Sequence, residues 1–107
     1  MDPILYKDLI GSLHRDVPCW ELMRIFFRRA GFELPPQPGY EQLSRIESPH
    51  EFGDLAALGY KTAGIVDSVD VLVDRGKFLT SIERGRVCLV HRESILPYLV
   101  SSWRVTR

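Results

Sequence analysis

Cys19 is the residue of this chain best placed to do chemistry. It follows Pro18 and opens the most apolar helical stretch of the sequence, which runs to about Ala30. At a helix start, free backbone amides and the helix dipole favour the thiolate, the nucleophilic form of cysteine. Such a sulfur attacks amide carbonyls when a neighbour takes its proton, and first-turn amides can hold the resulting oxyanion. The competing account is a small apolar side chain filling a gap, a common use of unpaired cysteine. The imidazoles on offer as bases are His14, in a loop that can fold back over the helix start, His50 in a Ser-Pro-His turn, and His91 at the close of a predicted strand. Each also suits an ordinary surface position. Asp70 is a further candidate, but a carboxylate is too weak a base for a thiol unless its pKa is raised. Otherwise it reads as a solvated strand residue.

The elements that must position these groups segregate along the chain. Residues 3–11 suit a short helix with Ile4, Leu5, Leu9 and Ile10 on one face and Gly11 as its cap. In the helix from Pro18 to Ala30, the proline fits the first turn and Asp16 is placed to accept a free amide. Leu22, Met23, Ile25, Phe26 and Phe27 make a wide apolar stripe, which predicts a buried, central helix ended by Gly31. Residues 32–39 form a proline-rich turn, residues 40–46 suit another short helix, and Ser48-Pro49-His50 breaks the chain.

From Gly53 the pattern changes to strands, predicted over 54–58, 65–73, 77–82 and 86–90, with turns at Arg75-Gly76 and Glu83-Arg84-Gly85. Val69, Val71 and Val73 fall on one face of their strand, and Ser68 and Asp70 on the other. The short spacings imply an antiparallel meander. A helical turn over 93–99 and a last strand over 103–105 follow; an unpaired edge on that strand would permit dimerisation. Helices first and strands after give an α+β domain rather than alternating βαβ units.

The chain has 107 residues, 45% of them hydrophobic, and 14 basic and 14 acidic side chains. That length fits one domain over 1–107, with a helical half to about residue 50 and a sheet half beyond it. Zero net charge argues against nucleic-acid or membrane-surface partners, which need surplus positive charge. Arg24, Arg28 and Arg29 read as one solvated helix face. Cys19 and Cys88 are too few for a disulfide scaffold and are not spaced as a zinc knuckle, although one disulfide would be compatible. Together with His14, His50 and His91 they are too scattered for a metal site, and no glycine-rich phosphate loop follows a strand. No cofactor and no metal are therefore expected. Neither a signal peptide nor a membrane span is predicted, so the default is a cytoplasmic protein with reduced thiols; association with a phage or prophage particle stays open. Trp20, Trp103, Tyr6, Tyr40, Tyr60 and Tyr98 suit either core packing or an aromatic recognition surface.

Several segments resemble one family. Cys19-Trp20-Glu21-Leu22-Met23, Phe26-Phe27 and Gly31-Phe32-Glu33-Leu34-Pro35 resemble the cysteine-helix segment of NlpC-type, papain-like cysteine hydrolases, in the form found in phage tail assembly proteins. Gly53-Asp54-Leu55 is similar to the family's Gly-Asp-Leu before its first core strand. Ser68 to Leu79 is similar to a segment that usually reads His-Val-Gly-Ile-Tyr and ends in Gly-Lys-Phe. Arg84 to Val87, Ser94 to Tyr98 and Trp103-Arg104-Val105 look like its closing strand and tail. The resemblance implies a papain-like NlpC-type fold, with Cys19 in the nucleophile position at a helix start packed on an antiparallel sheet.

It also exposes departures. The family's general-base histidine falls on Ser68, whose hydroxyl cannot take a proton near neutral pH as an imidazole does. The third polar residue falls on Thr80. Pro18 stands where aspartate usually precedes the nucleophile, and residues 11–16 hold no clear counterpart of the family's tyrosine and glycine-rich approach loop. Three functional readings follow. The first is a degenerate NlpC-type domain, inactive or impaired, that serves binding or assembly with a cell-wall peptide or a phage tail protein. The second is an active peptidase or amidase on peptidoglycan peptides, with Cys19 as nucleophile and a substitute base such as His14. The third is an interaction domain unrelated to hydrolases.

Overall fold

The computed structural model describes residues 3–37, 42–47 and 51–106. His50 and its Ser-Pro-His turn, Tyr40, and the end of the proline-rich turn lie outside the described residues. The one long helix, α1 (Cys19–Arg29), packs on an antiparallel six-stranded sheet of β1 (Leu43–Ile46), β2 (Leu55–Leu58), β3 (Ser68–Asp74), β4 (Lys77–Ser81), β5 (Val87–His91) and β6 (Leu99–Val105). A short helix, α2 (Arg92–Ile95), and a 3₁₀ turn, Leu96–Tyr98, join β5 to β6.

Helix α1 forms where the apolar stripe predicts it. Leu22, Met23, Phe26 and Phe27 are buried against Leu55, Val71, Val73, Leu79 and Val87 of the sheet. Pro18 is its N-cap residue, and no side chain caps the helix, so the expected capping by Asp16 does not occur. Gly31 follows the helix with φ of 88°, a left-handed conformation that glycine tolerates. The three arginines of its outer face pair with Glu21, Glu33 and Asp8 at the surface.

Three further expectations are corrected. Residues 3–11 form two 3₁₀ turns, Pro3–Leu5 and Lys7–Leu9, rather than one helix. Tyr6 and Leu9 turn inward while Ile4 and Ile10 stay exposed, because residues three apart eclipse in a 3₁₀ turn. Within 40–46, the described residues hold strand β1, not a helix. An isolated seven-residue helix is too short to sustain itself, whereas pairing with β6 satisfies the backbone of β1. The last strand, β6, is not an unpaired edge; it lies between β1 and β2 and gives no open site for dimerisation.

The meander β2-β3-β4-β5 is antiparallel throughout, as the turn spacing predicts. The sheet is covered on both faces: beyond the α1 side, Ala56, Leu58, Leu72, Phe78 and Ile95 make a second apolar cluster.

Two of the sequence motifs meet here. Gly53 adopts φ of 89° and turns the chain so that Asp54 is buried. Both Asp54 carboxylate oxygens accept hydrogen bonds from Arg104 of β6, at 2.9 and 3.0 Å. The Glu51 amide supplies another at 2.7 Å. Arg104→Ala is expected to lower the urea midpoint of unfolding at pH 7, because it leaves the buried Asp54 carboxylate with the Glu51 amide as the remaining one of these partners. Unchanged stability would mean that the Glu51 amide alone holds the carboxylate.

Candidate functional site

Cys19 is the first residue of α1, so its own amide and those of Trp20 and Glu21 have no carbonyl partner within the helix. The first intrahelical bond runs from the Leu22 amide to the Pro18 carbonyl, at 2.9 Å. The half-buried sulfur lies 3.4 Å from the Ser68 hydroxyl at the start of β3 and 3.4 Å from the Ser81 carbonyl at the end of β4. Among the described residues, these are the hydrogen-bonding neighbours of the sulfur, and neither is an imidazole. Both cysteines are free thiols.

The segment before α1 is sewn to the β4–β5 turn. Leu13 forms an isolated bridge with Arg86, Val87 and the Gly11–Ser12 backbone exchange hydrogen bonds, and the His14 amide donates to the Gly85 carbonyl. That stitching carries His14 to the end of β4, where Nδ1 lies 2.8 Å from the Ser81 hydroxyl and 3.2 Å from the Ser81 carbonyl. The Ser81 hydroxyl gives its proton to the Val17 carbonyl. Both partners of Nδ1 are therefore acceptors, so in the neutral ring Nδ1 carries the proton and Nε2 the lone pair.

Asp70 is not the solvated residue that strand alternation suggests. It stands on β3 opposite Ala56 of β2, in the middle of a sheet covered on both faces, and none of its surface reaches solvent. Ser68 donates to its Oδ1 at 3.4 Å, while its Oδ2 is buried with no hydrogen-bond partner among the described residues. Burial pushes the carboxyl up to about 7, against the downward pull of the neighbouring Thr80 and Ser68 hydroxyls. This is the condition under which a carboxylate becomes a competent base.

Four of the residues singled out in the sequence, His14, Cys19, Ser68 and Thr80, line one cleft of about 600 Å³. His91 does not: it pairs with Lys77 at the other end of β5 and lies exposed. Sequence reading gives Tyr60 only among the aromatics and misses the rest of the wall. Tyr60, Lys61 and Asp67 come from the loop after β2, and Ile82 and Glu83 from the β4–β5 turn. That loop is drawn tight at Gly59, where an added Cβ would sit 2.7 Å from the Ile65 carbonyl oxygen. Asp67 accepts the amides of Tyr60 and Lys61, which hold its carboxyl below the usual range. Lys61 and Glu83 pair at 2.8 Å across the cleft rim. Tyr60 is pushed up to about 12 by burial and by nearby acidic groups, Asp70 first. Its ring stands 4.7 Å from that of Tyr98, but Trp20 and Trp103 bond elsewhere, to the Pro35 carbonyl and the Ser101 hydroxyl. Among the described residues, the aromatics thus do not form one recognition surface.

The cleft thus sets a thiol, the hydroxyls of Tyr60, Ser68, Thr80 and Ser81, one ammonium and two carboxylates around a single space. Among the described residues, no cluster of histidine, cysteine, aspartate and glutamate suits a metal ion, and no helix is long and apolar enough to cross a membrane. Against known proteins, the family model described as NlpC/P60 family matches residues 8–104. No curated protein sequence matches the chain.

Proposed function

The chain belongs to the NlpC/P60 family, and from that premise we propose that it is a cell-wall peptide-binding domain in which the hydrolytic step is lost or strongly impaired. The observation that carries this reading is the contact of Cys19 with a hydroxyl, Ser68, and a carbonyl, Ser81, rather than with an imidazole. Cleavage of an amide needs a group that first takes the thiol proton and then returns it to the leaving nitrogen. A serine hydroxyl does neither unaided near neutral pH. The cleft itself supports binding, since it stays open beside Cys19 and carries opposite charges on its rim, Lys61 against Asp67 and Glu83. In a bacterial or phage setting such a domain would serve attachment or assembly, with a cell-wall peptide or a tail protein as partner.

The test is a titration of ¹⁵N-labelled protein with soluble muropeptides. Saturable shifts at His14, Cys19, Tyr60 and Thr80, with the peptide recovered intact, are expected; shifts scattered away from the cleft would contradict the reading. A second reading, an active peptidase or amidase with His14 as substitute base, is favoured by one observation: His14 lines the same cleft, and its Nε2 has no hydrogen-bond partner among the described residues. It requires cleavage that disappears in both Cys19→Ala and His14→Gln.

A further inference from the structure

We propose that Asp70 takes the proton of the Cys19 thiol through the Ser68 hydroxyl, so that Cys19, Ser68 and Asp70 form a proton-transfer chain in place of an imidazole. The geometry is continuous. Cys19 Sγ lies 3.4 Å from Ser68 Oγ, and Ser68 Oγ donates to Asp70 Oδ1 at 3.4 Å. Because the Ser68 proton points to the carboxylate, the oxygen lone pairs are left for the thiol proton. The Ser81 carbonyl competes for that proton but cannot keep it.

Transfer is balanced. The S–H bond breaks and its proton joins Ser68 Oγ, while the Ser68 proton passes to Asp70 Oδ1. The single negative charge moves from carboxylate to sulfur, and the re-formed Ser68 hydroxyl donates to the thiolate.

The surroundings favour the transfer. A wholly buried carboxylate with one oxygen unpartnered is poorly solvated, so protonation relieves it. Moving the charge to half-buried Cys19 takes it to the cleft and to the amides of the first turn of α1. The groups that interact with Asp70 are Tyr60 of the loop after β2, Ser68 of β3, Thr80 of β4 and Cys88 of β5, and Cys19 of α1 reaches it only through Ser68; no cation is among those that shift it. Tyr60 and Cys88 both bind their protons more tightly than usual, so neither competes as base near pH 7. His14, Lys61, Asp67 and Glu83 stand on the cleft side. Asp70 acts through Ser68 and does not touch a bound peptide. The relay thus accounts for one step, removal of the Cys19 proton, and it stands or falls independently of peptide binding.

The test is the rate of Cys19 alkylation by iodoacetamide against pH, read at the Cys19 peptide by mass spectrometry. In the reaction the sulfur–carbon bond forms and iodide leaves. The unaltered protein is expected to show a step in rate centred near pH 7. Asp70→Asn and Ser68→Ala should each remove the step and slow alkylation at pH 8 by about tenfold, and the double variant should lose no more. His14→Gln should keep the step. The sign discriminates: a carboxylate acting only through its field would repel the thiolate, so Asp70→Asn would react faster. Equal or faster alkylation of Asp70→Asn, an unaltered step in Ser68→Ala, or loss of the step in His14→Gln would each overturn the proposal. Ser68→Ala removes one small hydroxyl and carries the test alone if Asp70→Asn does not fold.

Discussion

Replacing Ser68 with histidine is expected to raise Cys19-dependent cleavage of muropeptides at least ~100-fold above the rate of the unaltered protein, the lower end of what a positioned general base contributes. Ser68 is the one described side-chain neighbour hydrogen-bonded to the sulfur. An imidazole there would reach the thiol and, through its other nitrogen, the Asp70 carboxylate two residues along the strand. A carboxylate so placed holds the ring in the useful tautomer and stabilises its protonated form, as in triads of this logic on other folds. Space is available because the position opens on the cleft beside Cys19. Product release measured by mass spectrometry should vanish when Cys19→Ala is added. A folded Ser68→His protein with no gain would mean that something other than the missing base limits hydrolysis.

Asp70→Asn is expected to stabilise the fold at pH 8 by a few kcal/mol and to leave stability at pH 4 nearly unchanged. The carboxyl is raised by burial from 3.8 to about 7 in the folded state. A raised folded pKa means that the native protein holds the proton more tightly than the unfolded chain. The native state is therefore free of the penalty at pH 4 and loses stability as pH rises from about 4 through 7. A difference of about three pKa units corresponds to a ceiling of about 4 kcal/mol at pH 8. Asparagine is neutral throughout and of the same shape, but it leaves a polar group without full partners, so part of the gain is forfeited. Urea unfolding at pH 4 and pH 8 measures both arms. Equal stability of the two proteins at pH 8 would mean that water or an unseen partner reaches Oδ2.

The features legible in the sequence are those set by local chemistry. The apolar stripe of α1, its glycine stop and the turns of the meander are properties of a few adjacent residues, and the helix start put Cys19 in view as the group to watch. His14 was also within reach, because it lies close to Cys19 along the chain. The features that escaped depend on distant partners. Strand β1 forms because β6, some sixty residues later, offers it a free edge. Asp70 looked solvated because it alternates with valines; its burial comes from the second apolar cluster, to which Ile95 of α2 contributes from far along the chain. Ser81 carries no signal of its own, since its carbonyl and hydroxyl matter only once the segment before α1 is stitched to the β4–β5 turn. The pairing of Asp54 with Arg104 likewise links two short motifs that separately said little.

On the proposed reading, this cleft receives a peptide beside a sulfur that, among the described residues, has no hydrogen-bonded imidazole to complete its cleavage. Prolonged incubation of purified muropeptides with the unaltered protein and with Cys19→Ala, with products counted by mass spectrometry, tests it most directly. The same background release from both proteins is expected. Release by the unaltered protein that Cys19→Ala abolishes would contradict it.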